Sequence, residues 1–132
     1  MNSRSQCAAL ALTWLLTLLG GCAVPPATPP GLLDVVERPA ERELLAGMRA
    51  YDDGQYPMAE KSLNAALQAG LASPRDRAAA NKTLAFIYCT SDRVSACETA
   101  FRAARKADPT FTLSKSEAGH PRWGPVYQRT LP

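Results

Sequence analysis

Apolar positions divide the chain into three stretches. From Cys7 to Leu19 they are almost continuous, broken only by Thr13 and Thr17. From Ala23 to Pro39 five prolines interrupt them and no helical period survives. From Ala40 onward they recur every three or four residues, the spacing that lines one face of an α-helix. That spacing predicts four helices, lined in turn by Leu44, Leu45, Met48 and Tyr51; by Ala59, Leu63, Ala66 and Leu67; by Ala80, Leu84, Ile87 and Tyr88; and by Val94, Cys97, Phe101 and Ala104. Between the first two, "DDGQYP" supplies a break, because Gly54 can take a left-handed conformation and Pro57 suits a first helical turn. "LASP" ends the second helix and starts the third, with Ser73 as N-cap and Pro74 at the first helical position. "TSDR" turns the third into the fourth, which stops at Asp108-Pro109. Helices joined by such short connections lie antiparallel. The expected fold is therefore all-α, two helical hairpins over residues 40–132 with a C-terminal segment beside them.

The two hairpins align with each other at an offset of 38 residues, which pairs Gly47 with Ala85, Ala59 with Cys97, Leu63 with Phe101 and Ala66 with Ala104. A repeated helix-turn-helix unit with small residues at the crossing resembles the tetratricopeptide repeat. Gly47, Gly54, Tyr56, Ala59 and Ala66 in the first unit, and Leu84, Ala85, Tyr88, Phe101, Ala104 and Pro109 in the second, sit at that family's spacings. No tryptophan opens either unit, Cys97 replaces the usual alanine, and the connection from Gln68 to Pro74 exceeds the usual period of about 34 by roughly four residues. Two units are fewer than the roughly three such an array needs to bury its faces. The tail "FTLSKSEAGHPRWGPVYQR" is the expected cap: Ser114 and Glu117 have capping-box spacing, Gly119 stops the turn, and Pro125 starts a last short helix. Phe111, Leu113, Trp123, Val126 and Tyr127 are then expected over the open face of the second hairpin.

The N-terminal stretch has the form of a secretory signal: one positive charge at Arg4, an apolar run too short to span a bilayer, then small residues. Leu19-Gly20-Gly21-Cys22 resembles the bacterial lipobox. The resemblance implies cleavage after residue 21 and lipid on Cys22, and Ala23 in place of an acidic residue implies the outer membrane. Two or more acyl chains anchor stably where one holds only marginally. The other reading is a plain secreted protein with a spare cysteine. Residues 22–39 then form a proline-rich tether with a reach of up to roughly 50 Å, unless Leu32, Leu33, Val35 and Val36 dock as a short helix or strand. Of four cysteines, Cys7 leaves with the signal and Cys22 takes lipid, so Cys89 and Cys97 remain as a pair in a compartment where disulfides persist. They flank a hairpin turn and are expected to be bonded, the alternative being two buried thiols. A zinc site is disfavoured, because the chain has one histidine and no accompanying carboxylate constellation.

Charge is modest. Without Arg4, fourteen basic residues face twelve acidic ones, a net of +2, which is no nucleic-acid signature. Its distribution is uneven: residues 34–60 hold seven acids against three arginines, and residues 75–106 hold seven bases against three acids. Such opposite-sign regions either solvate helix faces or orient a domain on a partner. His120 lies beside Glu117, Arg122 and Trp123, but no serine elbow, phosphate loop or metal spacing accompanies it. No catalysis, cofactor, small-molecule substrate or nucleic acid is expected. His120, Arg122, Trp123 and Tyr127 are instead candidates for partner binding, since such residues dominate interface hot spots, or for locking the tail onto the helices. Taken together, the lipobox, the tether, the repeats, "YCTSDRVSACETAFRAARKADPTF" and "GHPRWGPVY" resemble the TssQ-like lipoproteins associated with bacterial type VI secretion systems. The resemblance spans nearly the whole mature chain. It implies a non-catalytic accessory of that machine's envelope assembly, with secretion-system proteins as partners. The alternative is an adaptor of another envelope machine, a pilotin or an outer-membrane assembly accessory.

Overall fold

The structure, a computed structural model, describes residues 38–132. The signal (1–21), Cys22 and all of the tether except Arg38's junction and Pro39 therefore lie outside the described residues, as do Leu32, Leu33, Val35 and Val36. The described part is all-helical: α1 (Pro39–Asp52), α2 (Tyr56–Ala69), α3 (Pro74–Thr90), α4 (Val94–Ala107) and two short tail helices, α5 (Lys115–Ala118) and α6 (Gly124–Arg129). Pro39, assigned from sequence to the tether, is instead the first residue of α1. Its ring fixes φ near the helical value and its missing N–H has no intrahelical partner to lose there.

Each boundary follows from a local device. Gly54 stands at φ +72° after α1, and Gly70 at φ +86° ends α2. Ser73 caps α3, its Oγ accepting the Asp76 N–H at 3.2 Å. The α3–α4 turn is tightened by Asp92 at φ +60°, a conformation that aspartate tolerates better than most residues. Within the first hairpin α1 and α2 approach closely at Gly47, where a Cβ would meet Leu63 Cγ at 2.7 Å and Cδ2 at 2.9 Å.

The repeat pattern has a packing cause. Ala59, Leu63, Ala66, Ala85, Cys97, Phe101 and Ala104 all have zero exposure, and Gly47 is buried with them. They form the seams where each hairpin's helices meet. α3 is the central element: it packs on α1, α2 and α4, and buries Ala78, Ala80, Thr83, Leu84, Ala85, Phe86, Ile87 and Cys89. Thr83 sits there satisfied, donating to the Ala79 carbonyl at 3.1 Å. Two residues expected on buried faces are exposed, Leu45 at 44% and Val94 at 45%. Leu45 follows the buried Leu44 on the flank of the α1 stripe, where no neighbouring helix covers it. Val94 is the first residue of α4, ahead of the seam that begins at Cys97.

Cys89 and Cys97 are joined, with their Cα atoms 5.2 Å apart, across the α3–α4 turn. The tail crosses the second hairpin. Leu113, Val126 and Tyr127 are buried against it, and Phe111 and Trp123 pack on it half-buried. Both bonds of the Ser114–Glu117 capping box are formed.

Candidate functional site

The tail residues were the first candidates, and the structure uses most of their chemistry internally. Tyr127 is 4% exposed and belongs to the core rather than to any partner-facing surface; its ring lies edge-on to Phe101 and its hydroxyl accepts the Leu113 N–H at 3.3 Å. Trp123 stacks on Phe86 at 4.3 Å between ring centroids, and its indole N–H donates to the Glu117 carbonyl at 2.8 Å. His120 lies flat on the other side of that indole, 3.4 Å away, with Nδ1 accepting the Arg122 N–H. Arg122 reaches back to the α3–α4 turn, donating to Asp92 at 2.8 Å and to the Thr90 carbonyl at 3.1 Å. Lys82 on α3 holds Glu117 at 2.7 Å. Burial pushes the Glu117 carboxyl up, but hydrogen bonds from Lys82 and Ser114 outweigh it and leave the group below the usual carboxylate range. The four candidates are thus brought together as a latch. Arg122 stays exposed and His120 and Trp123 partly so, while Tyr127 is closed off.

An open surface lies elsewhere, in a groove of about 340 Å³ floored by α3 and walled by α2 and α4. Leu67, Leu84, Tyr88, Ala96, Ala100 and Ala103 supply its apolar lining, and Asn64, Asn81, Thr99 and Arg93 its polar rim. Small alanines on α4 keep that wall low, so the groove stays open where larger side chains would fill it. Asn64 and Asn81 each turn an amide N–H back onto their own helix, to Glu60 and Arg77 carbonyls at 2.9 and 2.8 Å. Their side-chain oxygens remain as acceptors along the groove. One end is fixed by Arg93, whose guanidinium lies 4.4 Å from the Tyr88 ring centroid and grips Glu60 in two parallel bonds of 2.9 and 2.7 Å. That grip holds the Glu60 carboxyl below, and the Arg93 guanidinium above, their ordinary values.

Such a surface accepts apolar side chains from a helix or extended segment and offers acceptors to its N–H groups. Its lining contains no histidine, cysteine or carboxylate to act as nucleophile or base. None of these groove residues was singled out from sequence beyond Leu67, Leu84 and Tyr88 as helix-face positions. The available signal was asparagine in mid-helix, a poor helix former placed where its amide has another use. Among the described residues no group of three or more His, Cys, Asp and Glu side chains is placed to hold a metal, and no helix is long and apolar enough to cross a membrane. Comparison of the chain with protein-family models, with curated proteins and with solved structures returned no match.

Proposed function

We propose that the protein is an outer-membrane lipoprotein, anchored through Cys22 and facing the periplasm, that serves as a non-catalytic adaptor in the envelope assembly of a type VI secretion system. Its hairpins are read as tetratricopeptide-like units with the tail as their cap. The lipobox-like Leu19-Cys22 segment and the sequence resemblance support the anchor and the machine. The observation that supports the adaptor role is the division of labour on the surface: the tail candidates are tied to one another and to the α3–α4 turn, while the groove of α2, α3 and α4 stays open and mainly apolar. The partner on this reading is a protein segment bearing aliphatic side chains, seated across Leu67, Leu84 and Tyr88.

Affinity purification from crosslinked membranes of the native host tests it, using wild type, Cys22→Ser and Ala96→Trp, the last filling the groove from α4. Secretion-system envelope proteins are expected with wild type and are expected to be lost from both variants, while the thermal midpoint of Ala96→Trp stays close to wild type. Recovery of another envelope machine's components would keep the anchored adaptor and replace the machine. Equal recovery with Ala96→Trp would remove the groove from the account.

A further inference from the structure

The antiparallel order of the four long helices gathers the start of α1, the end of α2, the start of α3 and the end of α4 at one pole, and the α1–α2 and α3–α4 turns at the other. The chain enters the domain at the first pole, through the exposed Arg38, sixteen residues after Cys22. The two poles differ in charge. At the entry pole Arg42, Arg75 and Lys106 are exposed, and none of them makes a side-chain ion pair among the described residues. Several acids there face inward or are engaged: Glu41 is 9% exposed and lies 3.8 Å from Arg38, and Asp108 accepts the Thr110 N–H and hydroxyl at 2.9 and 2.7 Å. Glu43 and Asp76 are half-buried. At the far pole the order is reversed. Asp52 and Asp53 are exposed without ion pairs among the described residues, while Arg93 and Arg122 are taken up by Glu60 and Asp92. Arg49, an exposed base, precedes Asp52 and Asp53 by one helical turn on α1.

From this asymmetry we infer that the entry pole is a docking surface for anionic lipid headgroups, which seats the domain on the bilayer with the α1–α2 and α3–α4 turns pointing away. The inference rests on the anchored reading for its location, because a tether attached at Arg38 brings that pole nearest the membrane. Cations without an ion pair among the described residues break none of those pairs on meeting lipid phosphates, and the far pole's carboxylates are repelled from the same surface. The attraction reaches only about a Debye length, near 8 Å at physiological salt, so it acts once the tether is slack. Exposed Pro39, Ala69, Gly70 and Ala72 let the pole approach closely. In this seat the groove of α2, α3 and α4 runs from membrane side to far side, with its Leu67 and Ala103 end lowest.

Hydrogen exchange on the acylated full chain in vesicles tests the seat. Vesicles of phosphatidylcholine alone are compared with vesicles in which about a third of the lipid is phosphatidylglycerol, an anionic fraction chosen so that each lysine or arginine near the surface is worth roughly fivefold in binding. Slower exchange is expected over Gly70–Arg75 and Asp108–Thr112 in anionic vesicles only, with none over Asp53–Tyr56 or Ser91–Arg93. The triple variant Arg42→Glu, Arg75→Glu, Lys106→Glu is expected to lose that protection, and 0.5 M salt to do the same. Protection that appears equally in neutral vesicles, falls at the far pole, or survives the triple variant would overturn the inference. Flotation with neutral vesicles reports the lipid anchor separately. A chain that does not float there has no anchor, and its entry pole is still expected to show the anionic-vesicle protection, more weakly, at higher lipid concentration.

Discussion

Gly47 and Leu63 set the spacing of the first hairpin. A methyl group at Gly47 would lie 2.7 Å from Leu63 Cγ and 3.1 Å from the Leu63 backbone nitrogen, and Leu63 is fully buried with nowhere to swing. Alanine has the better helix propensity by about 1 kcal/mol, but overpacking a tight core costs about 1–3 kcal/mol. Gly47→Ala is therefore expected to destabilise by up to about 2 kcal/mol in urea unfolding, where propensity alone would stabilise. In the second hairpin Ala85 stands where Gly47 does in the first, and the disulfide adds a covalent tie. Closing an eight-residue separation is worth roughly 2–3 kcal/mol in the chain-entropy model. Cys89→Ala with Cys97→Ala should lower the unfolding free energy by about that amount and leave the far-ultraviolet spectrum unchanged. The sequence pattern made these positions readable because a small residue repeated 38 positions apart leaves a mark on the page. Leu45 and Val94 were misread for the opposite reason: an apolar side chain beside a helix stripe looks the same whether or not a neighbour covers it.

Among the elements, α1, α2 and α4 carry one-sided apolar stripes and their existence follows from period alone. α3 follows from the same spacing but carries no one-sided stripe, because α1 and α2 approach it on one side, α4 on another and the tail on a third, leaving buried positions around most of its circumference. Its start was legible through Ser73 and Pro74, since capping chemistry is local. The tail was legible in the same way at Ser114, Glu117 and Pro125, whereas the stacking of Trp123 on Phe86 was not, being set by a contact across more than thirty residues. Tyr127 shows the limit of reading aromatics as binding residues: its place in the core comes from α6 folding back onto α4. Two ion pairs, Lys82–Glu117 at the latch and Arg93–Glu60 at the end of the groove, carry a pH dependence. Glu60 and Glu117 are held below the usual carboxylate range, so the folded state favours their ionised forms. A depressed folded value gives stability that is present above the ordinary value near 4.3 and is lost as pH falls through the lower folded value. The thermal midpoint is expected to drop as pH is lowered from about 5 to about 3, and Glu117→Gln to show a shallower drop with a lower midpoint at neutral pH. Trp123→Ala, which removes the stack on Phe86 and the bond to the Glu117 carbonyl, is expected to cost about 2–4 kcal/mol and to speed proteolysis at the C-terminus.

On the scale of the whole molecule, the groove joins residues from Asn64 to Ala103 on three helices. No window of sequence contains it, and only the angle between the hairpins creates it. That is why the residue-level candidates for partner binding, His120, Arg122, Trp123 and Tyr127, come from the tail, where aromatic and basic residues cluster locally, while the lining of the groove is not legible in the sequence. On the proposed reading the chain enters at one pole, the groove runs along the side and the tail closes the second hairpin. The proposed adaptor role stands or falls on whether a protein of the secretion envelope occupies the groove. A photo-crosslinking amino acid at Thr99, exposed on the groove rim, tests this most directly when activated in membranes of the native host. One dominant adduct is expected, identified by mass spectrometry as a type VI envelope component and absent when the same probe replaces the exposed Asp53. No adduct at Thr99, or the same adduct from both positions, would contradict it.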